Sequence, residues 1–155
     1  LKMKLLQFFY LAGLILLVGC VQNTGTSTVP KNLDGQANVN MASLIGQKFE
    51  MVELDGKPVV LQGYKLPTLS FGADARIFGQ VCNVFNGSAK IEKGILKADG
   101  MSSTRMFCSD PKLNGLEFLF FNMANEGAEI NIMGGELSLE QGERVLRYKR
   151  VYGVE

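Results

Sequence analysis

The chain has 155 residues, room for one domain of ordinary size. Its 16 basic and 15 acidic side chains leave a net charge of +1, too weak a field to hold a nucleic-acid backbone, so no nucleic-acid partner is expected. There is no histidine, which excludes Ser-His-Asp and Cys-His nucleophile systems and most catalytic zinc sites.

Lys2 and Lys4 precede an apolar run over residues 5–19 in which only Gln7 is strongly polar. As a helix that run is about 22 Å long, short of a hydrocarbon core of about 30 Å. With its basic flank it reads as a signal-peptide core, residues 1–19. It ends in Leu17-Val18-Gly19-Cys20, which resembles a bacterial lipobox. That resemblance implies diacylation of the Cys20 thiol and cleavage before it. Each buried CH₂ of an acyl chain contributes about 0.8 kcal/mol, so two or more chains anchor stably. The alternative is an ordinary secretory signal with a chance cysteine. Loss of residues 1–19 removes two lysines and no acid, which leaves 14 basic against 15 acidic side chains, or −1. Val21 rather than Asp follows the cysteine; by resemblance to the lipoprotein sorting rule this implies the outer membrane, with the domain in the periplasm. Residues 20–43 are expected to be the lipidated Cys and a flexible tether, because 22–41 is rich in Asn, Thr, Ser and Gly without an apolar period. The domain proper is expected over 44–155.

From Leu44 onward, short alternating runs are broken by turn residues. Residues 49–54 read as a strand, Asp55-Gly56-Lys57-Pro58 as a turn, and 59–61 as a continuation. Residues 68–71 form an alternating strand after Pro67, Gly72-Ala73-Asp74 turns the chain, and 76–81 alternate again. Asn86-Gly87 is a tight-turn pair, and Lys93-Gly94 joins strands at 89–91 and 95–98 as a hairpin. One helix is predicted, capped by Ser109 or Asp110, with Pro111 in its first position, running to about Asn125 and stopping near Gly127. At about 100° per residue, Leu113, Leu116, Phe120, Met123 and Ala124 share one face. Leu119 and Phe121 flank it, and Phe118 points nearly opposite. Three more alternating segments follow, around Ile130 and Ile132, around Leu137 and Leu139, and over 144–151, separated by Gly134-Gly135 and Gln141-Gly142-Glu143. Seven or eight short strands and one helix indicate an α+β or β-barrel-like domain.

Two segments carry a family resemblance. Gly79-Gln80-Val81-Cys82-Asn83-Val84-Phe85-Asn86-Gly87 is similar to the G-x-x-C-N-x-F-x-G segment of the META domain. Thr104-Arg105-Met106-Phe107-Cys108 is similar to its T-R-M-x-C segment. Asp55-Gly56-Lys57-Pro58-Val59 and the run from Pro67 to Phe71 also fit. The order and spacing, over roughly residues 44–148, resemble the heat-shock lipoproteins of Gram-negative envelopes within that family. The chain departs from many META domains in having Phe49 where they carry Trp. The resemblance implies a mainly β, α+β fold: a small antiparallel, partly open β-barrel with one packed helix. It also implies a link to heat shock, envelope stress and tolerance of the antibiotic novobiocin. It implies no reaction.

With Cys20 lipidated, Cys82 and Cys108 are the two thiols left, and two cysteines in an exported domain usually pair. The closed loop of 27 residues would contribute about 3.5 kcal/mol by chain entropy. A redox pair is the alternative, although the spacing is not Cys-x-x-Cys. Asn83 and Asn86-Gly87 read as turn formers, with ligand binding as the second reading for Asn83. Thr104 and Arg105 read as supports of the loop carrying Cys108; the planar fork of Arg105 alternatively suits a carboxylate or phosphate. Glu50, Glu53, Glu136 and Glu140 read as solvent-facing members of alternating strands rather than acid–base pairs. No phosphate loop or dinucleotide fingerprint is present, and no catalytic residue, metal or cofactor is expected. Phe118 has two readings: an apolar side chain that is covered or exposed without consequence, or a contact for a lipid tail or partner protein.

These features predict a non-enzymatic, monomeric envelope protein, held to the membrane by its lipid anchor and acting as an interaction module on another envelope protein. The alternative is a binder of a lipid or other hydrophobic small molecule in or beside the barrel.

Overall fold

The computed structural model describes residues 39–152. The expected signal peptide, the lipidation site Cys20 and the tether as far as residue 38 lie outside the described residues. A short helix, α1 (Met41–Leu44), opens them. Its cause is local: the Asn40 side chain accepts from the Ser43 N–H (3.0 Å), and Ser43 Oγ accepts from the Asn40 N–H (3.3 Å), a reciprocal cap of the N-terminus. Leu44 at its end is fully buried. The sequence reading does not anticipate this helix.

Alternation then sets the strands. In β1 (Lys48–Leu54) Phe49 and Met51 are buried, and β2 (Lys57–Pro58) folds back on its end. β3 (Thr68–Phe71) and β4 (Arg76–Gln80) contribute Leu69, Phe71 and Ile77 to the core. In β5 (Val84–Glu92) Phe85, Gly87 and Ala89 point inward and their neighbours outward, the period of two expected of a sheet with one dry face. β6 (Ile95–Ser103) pairs with β5. After the helix α2 (Pro111–Glu126) come β7 (Ala128–Met133), β8 (Glu136–Gln141) and β9 (Arg144–Val151).

All pairings are antiparallel. The order β2-β1-β3-β4-β5-β6-β7-β8-β9 is closed by β1 against β9, from Lys48 opposite Val151 to Leu54 opposite Leu146. The sheet is therefore a ring, and the fold is α+β and mainly β. One seam is narrow: β6 and β7 meet at only two residue pairs, Ile95 with Glu129 and Leu96 with Ala128. The helix α2 connects those two strands in sequence and packs on β6 and β8. Its buried residues are Leu113, Leu116, Phe120, Met123 and Ala124, the face that helical periodicity selects. Asp110 caps it through the Lys112 N–H (2.8 Å), Pro111 opens it, and Gly127 closes it by donating to the Met123 carbonyl (2.9 Å).

Two local expectations are corrected. Asn86-Gly87 is not a turn: Asn86 lies opposite Phe78 and Gly87 opposite Ile77 inside β5. The turn sits earlier, at residues 81–83, where the Val81 N–H donates to the Asn83 carbonyl (3.1 Å). Gly87 sits where the β5–β6 register shifts, and a Cβ there would lie 2.7 Å from Met101 Sδ and 3.3 Å from Met101 Cα, so the Met101 side chain would have to move. Residues 59–61 do not continue as a strand either. The β1 edge that β2 pairs with is taken over by β3 at Lys48 to Glu50, so the connecting segment leaves the sheet.

Candidate functional site: a latched loop and an apolar groove

The two motif segments meet in space. β4 delivers the chain to the 81–83 turn, where Cys82 forms a disulfide with Cys108 (Cα–Cα 6.0 Å) in the loop before α2. Gly79 makes the approach of β4 to β3 and β5 close: a Cβ there would overlap the Thr68 carbonyl oxygen, lie 2.8 Å from its carbon and 3.0 Å from Phe85 Cζ. Phe85 in turn packs on Phe120 (centroids 4.8 Å) and Phe121 (5.9 Å) of α2. The first glycine, the cysteine and the phenylalanine of the motif are thus all packing requirements.

Asn83 is the hub. It is buried, and it is not among the residues with positive φ, so its role is not the left-handed turn that Asn tolerates. Its Oδ1 accepts from the Met106 N–H (2.6 Å) and from Thr104 Oγ1 (2.9 Å). Its Nδ2 donates to Glu117 Oε1 (3.0 Å). Glu117 Oε2 accepts from the Cys82 N–H (3.0 Å) and the Asn83 N–H (2.6 Å). Thr104 Oγ1 also accepts from the Val84 N–H (3.2 Å). One buried amide and one helix carboxylate therefore satisfy the turn, hold the 104–108 loop and fix both to α2. Buried polar groups that are fully partnered in this way specify one geometry. Glu117 is the residue the sequence reading misses. Thr104 does support the loop, but Arg105 does not: it is exposed and makes no ion pair among the described residues.

What the latch presents is apolar. Met106 is 59% exposed and Phe107, the most open large apolar residue among the described residues, 91%. On the other face of α2, Phe118 is 70% exposed. It lines a groove of about 690 Å³ between α2 and the β1–β2 hairpin with the 59–61 segment. Phe118, Leu119, Val60 and Leu61 supply apolar wall, Gly115 lies on its helix side, and Lys57, Lys112 and the Asp55–Arg144 pair (3.0 Å) supply its polar groups.

The strand carboxylates do not come together as an acid–base pair. Glu53 pairs with Arg147 (2.9 Å) and Glu136 with Lys149 (3.9 Å), while Glu140 accepts from Ser138 Oγ (2.8 Å). Among the described residues no three Cys, Asp or Glu side chains approach the arrangement of a metal site. No helix there is long and apolar enough to cross a membrane. Burial pushes the Tyr148 phenol far above the ordinary tyrosine range.

The whole chain can be set beside known proteins. The Heat shock protein HslJ of Escherichia coli (strain K12) is 32% identical over 140 residues, 90% of this chain and 91% of that one. A protein solved by NMR is 35% identical and superposes with a TM-score of 0.65, over 72% of this chain and 94% of its own. A protein from Burkholderia xenovorans, also solved by NMR, is 19% identical with a TM-score of 0.57, over 79% and 99%, and shows the fold alone. A profile described as META domain matches residues 42–152. That span takes in the ring, α2 and both segments of the latch, and the chain belongs to the META domain family.

Proposed function

We propose that this chain is a lipid-anchored, non-enzymatic envelope protein of the HslJ type, held at the outer membrane through Cys20 with its domain in the periplasm. In this reading it serves tolerance of heat and of novobiocin as an interaction module for another envelope protein. The observation that carries it is the latch. The inward motif residues spend their hydrogen bonds on one another and hold a loop that exposes Arg105, Met106 and Phe107. A loop already fixed loses little freedom on docking, and Arg, Met and Phe are residue types enriched at interface cores. The name of the E. coli relative, a heat shock protein, supports the stress link.

The test is made in cells with the full chain. A photoreactive residue in place of Phe107 should crosslink one discrete envelope protein, and the same residue in place of Lys90 on β5 should not. Met106→Ser with Phe107→Ser, if exported and disulfide-bonded like the unmodified chain, should lower survival of heat and novobiocin. Unchanged survival would defeat the reading.

A second reading, a binder of a hydrophobic small molecule beside the ring, is favoured by the groove. Its size falls within the range of about 300–1,000 Å³ typical of small-ligand sites. Phe118→Ser should change stability by no more than about 0.5 kcal/mol, because the side chain is 70% exposed.

A further inference from the structure

Two residues of α2 work against the helix that carries them, and both line the groove. Gly115 lies in the interior of α2, where glycine is the poorest choice after proline. A Cβ built there meets nothing within 4 Å, and its φ is not positive. Neither packing nor backbone geometry calls for glycine. Lys112 lies in the first turn, which holds no acid beyond the Asp110 cap, so a cation stands at the positive end of the helix dipole. Locally unfavourable choices that converge on one place mark a functional site. Gly115 leaves the groove deep, and Lys112 makes it cationic.

A second cation, Lys57, comes from the opposite wall. Neither Lys57 nor Lys112 has a carboxylate partner among the described residues. The acid on the lining, Asp55, is already engaged by Arg144 (3.0 Å) and the Val145 N–H (2.9 Å). The groove thus offers apolar walls and two uncompensated ammonium groups.

We propose that the groove binds a free single-chain anionic amphiphile, a carboxylate of the fatty-acid type. The tail lies along Phe118 and over Gly115, and the carboxylate is held by Lys57 and Lys112. This rests on the second reading above and adds to it the class of ligand and its charge.

The chain has no tryptophan, so Val60→Trp, at an exposed position of the groove, gives a reporter without background. The full chain carrying it is placed in phosphatidylcholine nanodiscs and titrated with octanoate. The emission should change saturably. Octylammonium, with the same tail and the opposite charge, should leave it unchanged. Lys57→Gln with Lys112→Gln should raise the octanoate Kd by about tenfold. Gly115→Leu, which blocks the path of the tail over the helix, should abolish the response, while Gly115→Ala should raise the thermal midpoint and show the helix intact.

Equal binding of octanoate and octylammonium, lost in Gly115→Leu, would overturn the anion assignment and leave the second reading standing. No saturable response to either, or one that survives Gly115→Leu, would overturn both. A response to phosphatidylglycerol nanodiscs without octanoate would assign the groove to a membrane lipid and overturn the free amphiphile.

Discussion

Replacing Asn83 tests whether the motif is a latch. Truncation to Ala removes the acceptor for the Met106 N–H and Thr104 Oγ1 and the side-chain donor to Glu117. One charge-assisted hydrogen bond contributes about 2 kcal/mol and two neutral ones about 1 kcal/mol each, so the loss is about 4 kcal/mol. Against a typical total of about 5–15 kcal/mol this leaves a marginal fold. At a urea slope of about 1.5 kcal/mol/M the midpoint should fall by about 2–3 M. Asn83→Asp is the sharper variant. It keeps the shape and the acceptor but turns the donor 3.0 Å from Glu117 Oε1 into a second carboxylate oxygen. It should be at least as unstable as Asn83→Ala at neutral pH. Its gap to the unmodified protein should narrow toward pH 4, where a proton shared by the two carboxyls restores a donor. Asn83→Ala should show no such narrowing. Urea unfolding by circular dichroism from about pH 4 to 8, with the disulfide kept oxidised, measures all three. A loss below about 1 kcal/mol in Asn83→Ala, or a pH-independent gap in Asn83→Asp, would refute the latch.

Gly79→Ala should cost about 3 kcal/mol or more, because the new methyl overlaps the Thr68 carbonyl and β3 must part from β4; the thermal midpoint reads it. Replacing Cys82 and Cys108 together by Ala should cost about 3.5 kcal/mol in urea unfolding, the loop entropy of the bridge, and mass spectrometry of the unmodified chain should show two hydrogens fewer than the reduced form. Tyr148 should give the fold an alkaline limit. Its phenol is raised in the folded state, so its contribution is complete below the unfolded value of about 10 and is lost as the pH climbs above it, at about 1.4 kcal/mol per pH unit. Stability measured above pH 10 should fall while Tyr148 stays protonated in the folded chain, and Tyr148→Phe should flatten that limb.

Much of this fold is legible locally. The helix is marked by Asp110, Pro111 and Gly127, and its buried face follows from spacing alone, because cap chemistry and a period of 3.6 act over one or two turns. The mainly β class is equally visible in the alternating segments. Asn86-Gly87 misleads because its turn propensity is real but is overruled by pairing with β4 on one side and by the bulge of β6 on the other. Glu117 is invisible because a carboxylate on a helix ordinarily faces water; only the disulfide and the 81–83 turn, 34 residues away, bring two backbone N–H groups to it. The motif residues are found by pattern, yet what they do is not, since Arg105 shares a segment with Thr104 and plays no part in the latch. The groove belongs to no segment at all. It arises where α2 passes the β1–β2 hairpin, and only Phe118 hints at it.

The closure of the ring makes the starting point of the domain arbitrary. Lys48 stands opposite Val151, so a linker from the end of β9 to the start of α1, which keeps the buried Leu44, can join the two ends without disturbing any strand, and the Gly134-Gly135 turn offers a place to reopen the chain. Such a circular permutant keeps every neighbour around the ring, and keeps the disulfide and Asn83 within a stretch of chain that was never cut. It also converts the β1–β9 pairing from the most sequence-distant contact in the sheet into a local hairpin. It makes the β7–β8 pairing the sequence-distant one in exchange, so contact order is nearly unchanged and the permutant should fold at close to the rate of the natural order of elements and reach the same ring.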